Sequence, residues 1–234
     1  MNKTAIIIPS RLDALRLPNK PLKLINNKEM ILHVYEAAKK TNTGEVYVAT
    51  PDQKIIDIII SNGGKAVLTS LNHQTGTDRI YEVFKTKLKS QPNVIVNLQG
   101  DMPNIDPQDI TDLVSYMHND ECDIVTLASS FSSESEFIDE NNVKVAVKDK
   151  LATNIFQKAT DFFRTDEKNY KNFYHHVGIY AFTNKALVRY VSLERSKLEL
   201  KRKLEQLRAL ENDMSIHVGY ISSSPLSCLL YTSP

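Results

Sequence analysis

Cysteine is scarce in this 234-residue chain: Cys122 and Cys228 stand alone and far apart, with no metal-binding spacing between them. So few thiols argue against a disulfide scaffold and for a reducing compartment, so a cytoplasmic location is expected. Long apolar runs are missing too. No segment approaches the length of a membrane span, and the opening MNKTAIIIPS is too briefly apolar for a secretory signal. Nor does charge of one sign dominate, since 29 Lys+Arg face 28 Asp+Glu. That balance leaves no global field to draw the chain to nucleic acid or membrane, so neither partner is expected and any anion site must be local. Phosphate loops of the type G-x-x-x-x-G-K-[ST] are absent, as are G-x-S-x-G, C-x-x-C and H-E-x-x-H.

What is present is a rhythm. AIIIP (Ala5 to Pro9) is short, continuously apolar and β-branched, the pattern of a strand buried on both faces. EMILHVYEAAKK follows as a helix with Met30, Ile31, Val34, Tyr35 and Ala38 on one face. EVYVAT, KAVLTS and NVIVNLQGD read as further strands, and helices begin near Asp52, near Thr77 and Asp78, and at Pro107. Strand alternating with helix through short connections predicts an α/β fold with a mostly parallel, Rossmann-like sheet flanked by helices. The length suits a single domain over residues 1–234. It divides into a regularly alternating first half (1–121), a β-rich part (122–221) and an atypical tail (222–234).

In parallel sheets ligands bind beyond the carboxyl ends of the strands. That rule singles out two loops, after the first and fourth strands, and the segment after the third strand is a further candidate. The loop after the first strand carries Arg11, Arg16 and Lys20. Planar guanidinium forks and a mobile ammonium could neutralise a triphosphate, or the loop could be an ordinary solvated connection. In NLQGDMP, Asp101 follows a buried strand through Gly100. A lone carboxylate of this kind can hold Mg²⁺ together with phosphate oxygens and waters, or can merely cap a turn. Gln99 brings an amide to the strand end, where it must find partners or face a cleft. The segment His73, Gln74, Thr75, Gly76, Thr77, Asp78, Arg79 leads into a helix N-terminus. Its hydroxyls and free N–H groups could bond the polar edge of a base or ribose, or simply cap the helix.

Past Cys122 the rhythm changes. CDIVTLASSF, VKVAVKD and YHHVGIYAF read as strands, and SSESEFIDENN as an excursion. His175 and His176, adjacent on a strand, face opposite sides and share no ion. SKLELKRKLEQLRALEN reads as one helix with Leu200, Leu204 and Leu207 at i, i+4 and i+7, and its KRK run as a solvated face.

Taken together, IPSR, RLPNKPL, HVYEAAKK, VATPD, HQTGTDRI, VNLQGD, HVGIYAF and SKLELKRKLEQLRALEN resemble the 3-deoxy-manno-octulosonate (Kdo) cytidylyltransferase family from residue 5 to about residue 221. The resemblance implies transfer of a cytidylyl group from CTP to Kdo, giving CMP-Kdo and pyrophosphate for lipopolysaccharide assembly, with Mg²⁺ as cofactor and a homodimer joined through the later β-rich region. Carried over by position, Arg11, Lys20 and Arg16 look like phosphate clamps and Asp101 like the metal ligand. The His73–Arg79 segment resembles the cytidine-recognising loop. Gln99, His176, Glu205 and Gln206 resemble sugar-side residues. LEQLRALEN favours Kdo over another sugar acid such as a sialic acid, which is the alternative substrate.

Three departures qualify that picture. Asn19 stands where the family usually has glycine, and asparagine tolerates the left-handed backbone best among other residues. Ala14 and Leu15 replace small hydroxyl residues. After YISSSPLS the family continues with V-D-T, whose aspartate is a second metal ligand, whereas this chain reads CLLYTSP. An alternative reading is therefore a catalytically impaired homologue that binds CTP better than it turns it over.

Overall fold

The computed structural model describes residues 3–13, 17–119, 122–165 and 170–225. Ala14, Leu15, Arg16 and the CLLYTSP tail, on which several expectations rest, lie outside that set. The chain divides into two compact units, the first running through Val114 and the second from Ser115 to Ser224. The strand–helix alternation of the first half corresponds to the first unit. It comprises β1 (Thr4–Pro9), the short hairpin β2 (Leu24–Ile25) and β3 (Lys28–Glu29), α1 (Met30–Lys40), β4 (Glu45–Thr50) and α2 (Gln53–Ser61). Then follow β5 (Ala66–Leu68), α3 (Gly76–Thr86), β6 (Val94–Asn97) and the start of α4 (Pro107–Asn119).

Strands of the first unit lie in the order β5-β4-β1-β6, and every pairing within that set is parallel. β1 is central, so both of its faces are covered, and Ile6, Ile7 and Ile8 are fully buried. Burial of each such side chain contributes about 1.5–3 kcal/mol, which is why the strand reads as an unbroken apolar run rather than an alternation. α1 buries Met30, Ile31, Val34, Tyr35 and Ala38, the predicted face, along with Leu32 and Ala37. α1, α2 and α3 each pack on these strands. All four strands run the same way, so their carboxyl ends and the loops leaving them gather on one edge.

The second unit contains β7 (Ile124–Ser129), α5 (Glu134–Ile138), β8 (Lys144–Val147), β9 (Gln157–Phe163), β10 (Phe173–Thr183), α6 (Asn184–Ser192), α7 (Lys197–Arg202), α8 (Gln206–Glu211) and β11 (Ile216–Tyr220). Its strand pairings close on themselves: β10 with β7, β7 with β11, β11 with β9, β9 with β8, and β8 back to β10. β10 serves two neighbours because it is long and bends. Its register shifts between Val177 and Tyr180, and its first residues pair with β8 while the remainder pairs with β7. The predicted β-rich part is thus a closed arrangement with its own core, built on residues such as Leu127, Phe162, Val177 and Ile179. β9, β11 and α6 were not expected from the sequence.

SKLELKRKLEQLRALEN is not one helix. A capping box between Ser196 and Glu199 starts α7, and Lys203 then adopts a left-handed conformation (φ 56°) that ends it. Leu204 and Leu207 are buried, but Leu200 is 53% exposed, so the expected apolar stripe is broken. The cause is a buried ion pair. Arg208 donates from Nη2 to Glu199 Oε1 at 2.6 Å and from Nε to Oε2 at 2.8 Å. In a straight helix these positions would sit about 13 Å apart along the axis, so the chain must fold back to join them. The KRK run is likewise only partly solvated, because Arg202 donates to Asp161 Oδ1 at 2.7 Å and to the Phe162 carbonyl at 2.9 Å.

Candidate functional site

At the carboxyl ends of β1 and β6 lies a cavity of about 280 Å³, walled by three loops of the first unit. The first loop leaves β1 at Pro9 and is held in shape by the backbone. Ser10 donates to the Ala49 carbonyl at 2.9 Å, and Asn19 to the Leu12 carbonyl at 3.1 Å. The Leu12 N–H donates to Asp52 Oδ2 at 2.8 Å. Asp52 thus precedes α2 as expected, but its carboxylate ties down the neighbouring loop instead of capping its own helix. Asn19 takes the left-handed conformation anticipated for it (φ 56°, ψ 25°) and turns the chain into a single 3-10 turn that starts at Lys20.

That turn aims Lys20 at the second loop. Its Nζ donates to Asp101 Oδ2 at 2.7 Å, with the lysine side chain 14% and the carboxylate 36% exposed. Gly100 permits the approach. A Cβ there would lie 3.2 Å from both the Pro9 carbonyl oxygen and Ile31 Cδ1, closer than side chains ordinarily pack. Gln99 Nε2 donates to Asn97 Oδ1 at 3.1 Å and borders the cavity. Ser10 also borders it, and its buried hydroxyl has no partner among the described residues.

The third loop precedes α3. Thr75 caps the helix by accepting from the Asp78 N–H, while Asp78 accepts from the Thr75 N–H at 3.3 Å. This reciprocal box is the reason α3 begins where it does. Two charged residues on α3 then reach back and grip the preceding strand exit. Arg79 Nη1 donates to Thr69 Oγ1 at 2.5 Å and to the Ser70 carbonyl at 3.0 Å. Glu82 Oε2 accepts from the Ser70 N–H at 2.9 Å and pairs with His73 Nε2. Ser70 is therefore held by its carbonyl on one side and its amide on the other. Burial, followed by the nearby Arg11 guanidinium, holds Arg79 below the usual arginine range. Burial raises the Glu82 carboxyl, but the hydrogen bonds from His73 and Ser70 outweigh it and leave Glu82 below the usual carboxylate range.

Of the residues singled out from sequence, Arg11, Lys20, His73, Gln74, Thr75, Gly76, Arg79, Gln99 and Asp101 all line this cavity. Thr77 and Asp78 do not. Thr77 is 2% exposed and accepts from Asn97 Nδ2 at 3.3 Å, and Asp78 is committed to the capping box. Their roles are to seat and start α3, which corrects the expectation that the whole segment faces a ligand. His176, Glu205 and Gln206 belong to the second unit. The His176 ring is buried, its Nε2 lying 2.9 Å from the Thr126 hydroxyl, which itself donates to the Ile179 carbonyl at 2.7 Å. Burial, with the neighbouring His175 second, pushes His176 down to about 3, so its imidazole is neutral at ordinary pH. Gln206 is 6% exposed, and the Glu205 carbonyl accepts from the Tyr190 hydroxyl at 2.8 Å. Sequence reasoning missed Ser10, Asp52 and Glu82. Only Glu82 left a signal, since it follows Arg79 by one helical turn and therefore shares its face.

Among the described residues no group of three or more His, Cys, Asp or Glu side chains could cage a metal ion. Asp101 is the acidic residue of the cavity wall. One partly exposed carboxylate fits an ion that keeps several waters and takes other oxygens from a phosphate ligand, as Mg²⁺ does.

The chain is similar to known proteins over nearly its whole length. A family model described as cytidylyltransferase matches residues 5–216. The chain is 40% identical over 227 residues to the 3-deoxy-manno-octulosonate cytidylyltransferase of Rhodopseudomonas palustris (strain BisB5), covering 95% of this chain and 91% of that protein. It is 42% identical over 225 residues to the enzyme of the same name from Rickettsia bellii (strain OSU 85-389), covering 95% and 89%. Among solved structures, a CMP:2-keto-3-deoxy-manno-octonic acid synthetase complexed with CTP superimposes with a TM-score of 0.84 at 36% identity, covering 94% of this chain and 90% of that one. A UTP-bound UGPase from Acinetobacter baumannii, 9% identical with a TM-score of 0.70 and covering 97% and 89%, shares the fold alone.

Proposed function

The chain belongs to the cytidylyltransferase family, and from that premise we propose that it transfers the cytidylyl group of CTP to Kdo, giving CMP-Kdo and pyrophosphate. The observation that carries this reading is the cavity in which Arg11, Lys20 and Asp101 meet Gln99 and the His73–Gly76 loop at the ends of parallel strands. One wall is cationic, and another presents neutral hydrogen-bonding groups. That asymmetry suits a molecule with a polyanion at one end and a base at the other.

In this scheme the anomeric hydroxyl of the sugar acid attacks the α-phosphorus of CTP, and pyrophosphate leaves with the β- and γ-phosphates. The protein has little covalent work to do, so its contribution is positioning and charge stabilisation. Arg11 offers its fork to phosphate oxygens and Lys20 a point charge. The unpartnered Ser10 hydroxyl is a further donor. Asp101 would hold Mg²⁺ alongside the phosphates, and a bound ion there would supply Lewis-acid polarisation of the phosphoryl oxygens. When Asp101 takes that role, Lys20 exchanges its present carboxylate partner for phosphate.

We further propose that the enzyme works in the cytoplasm as a homodimer, using the second unit for self-association, and activates Kdo for lipopolysaccharide assembly. No helix among the described residues is long and apolar enough to cross a membrane. The test is pyrophosphate release by the purified chain with CTP, Kdo and Mg²⁺, against controls in which Kdo is replaced by a sialic acid. Release with Kdo alone supports the reading. Silence with both sugars, or preference for the sialic acid, would refute it. Light scattering during size-exclusion chromatography reads the oligomeric state in the same preparation.

A further inference from the structure

His73 lines the cavity, and its Nε2 is engaged by a carboxylate oxygen that already accepts a backbone hydrogen bond. The geometry decides which way the proton points. Glu82 Oε2 receives the Ser70 N–H at 2.9 Å, so that oxygen is acting as an acceptor. Its carboxyl is held below the usual range and is ionised at neutral pH, so it has no proton to give to the ring. Nε2 must therefore carry the hydrogen and donate it. In the neutral imidazole the remaining nitrogen, Nδ1, is then an acceptor, and no protein group among the described residues bonds it.

Glu82 cannot swing away easily, because the same oxygen also anchors Ser70. Arg79, one turn earlier on α3, holds the Ser70 carbonyl from the other side at 3.0 Å. The strand exit, His73 and the helix are thereby locked to one another, and the tautomer is locked with them. An acceptor fixed in a pocket discriminates between ligand edges that differ only in hydrogen-bond polarity. Cytosine and uracil differ in this way at position 4, where cytosine carries an amino donor and uracil a carbonyl acceptor.

We infer that Glu82 is a positioning residue for base selection, holding His73 so that its Nδ1 accepts from the 4-amino group of a cytosine ring. This rests on the cytidylyl reading above and names the group that enforces it. His73 touches the nucleotide, and Glu82 acts through His73.

Calorimetric titration of the full chain with CTP and, separately, UTP tests it, using His73→Ala, Glu82→Ala and Glu82→Gln. Wild type binds CTP more tightly than UTP. His73→Ala and Glu82→Ala each lose about tenfold in CTP affinity, the scale of one hydrogen bond, while UTP affinity stays put. UTP thus serves as the internal check that the pocket still folds. Glu82→Gln keeps most of the preference, since an amide oxygen can still accept from both Ser70 and Nε2. Histidine ¹⁵N spectra give an independent readout, with His73 expected to show a protonated Nε2 and a bare Nδ1 that shifts when CTP, but not UTP, is added.

Parallel losses for CTP and UTP in His73→Ala, or an unchanged preference in Glu82→Ala, would overturn the inference, as would a protonated Nδ1 in the free protein. A glutamine variant as impaired as the alanine one would also overturn it, by assigning the effect to charge rather than tautomer. If wild type binds neither nucleotide, the cytidylyl reading itself fails. If it prefers CTP and the variants keep that preference, only the role of His73 and Glu82 fails.

Discussion

Arg11 and Lys20 stand on a loop whose backbone is fixed from three directions, by Ala49, Leu12 and Asp52. Both side chains leave the loop beside these backbone hydrogen bonds, so removing them should affect binding far more than folding. Replacing both by alanine is expected to weaken CTP about a hundredfold, two charge-assisted bonds at the lower end of their range, and calorimetry on the folded variant reads it. These cations were visible in the sequence because charge just past a buried strand has a geometric meaning in parallel sheets. Glu82 was not singled out, because a glutamate on an amphipathic helix looks like any solvated residue until its partners in the preceding loop are known. Thr77 misled in the opposite sense. A small hydroxyl near a helix start reads as a cap or a ligand contact, yet it is Thr75 that caps and Thr77 that is buried against Asn97.

Elements were legible in proportion to how local their causes are. β1, β4 and α1 follow from apolar runs and one buried face, and the structure has them within a residue of their predicted limits, whereas β6 ends at Asn97, four residues short of the expected Asp101. The α7–α8 segment was misjudged because its break is imposed by Glu199 and Arg208 finding each other across the turn, which a leucine spacing does not encode. The pair also fixes the order of events under mutation. Glu199 is completely buried, so Arg208→Met removes its two-pronged partner, leaves it only Arg195 and the Ser196 N–H, and should destabilise the protein by about 3 kcal/mol, measured by urea unfolding. The double variant Glu199→Leu/Arg208→Met removes the under-partnered buried charge as well and is expected to recover part of that loss.

The whole molecule should be acid-sensitive. Beside His175 and His118, which burial also lowers, the largest contributor above pH 5 is His176. Its ordinary value is 6.5, and in the folded chain burial takes it to about 3. The unfolded chain therefore gains a proton that the folded chain refuses, and stability falls as pH drops through that interval. Between pH 6.5 and pH 5 the loss is about 2 kcal/mol, and it does not depend on how far below 5 the folded value lies. Urea midpoints at the two pH values should show it, and His176→Gln should flatten the slope even if it lowers stability overall. At lower pH the carboxylates of Asp161 and Glu199 follow. Burial raises both, but hydrogen bonds from Tyr170 and Arg202 to one and from Arg208 and Arg195 to the other leave them depressed, so their contribution disappears as they protonate.

The Lys20–Asp101 bridge bears on how the proposed nucleotide and metal would enter the pocket. It satisfies each ion with the other, so an arriving cation meets a carboxylate that is already neutralised and an arriving polyanion meets an ammonium that is already taken. Each ligand liberates the group the other needs, which makes their binding mutually reinforcing by thermodynamic necessity. Mn²⁺ followed by paramagnetic resonance should bind feebly alone and tightly beside CTP. Lys20→Ala should erase most of that difference by tightening the solitary metal while slackening the nucleotide. A loop without a single glycine would in this way act as a coincidence detector, binding a metal–nucleotide pair more tightly than either half alone.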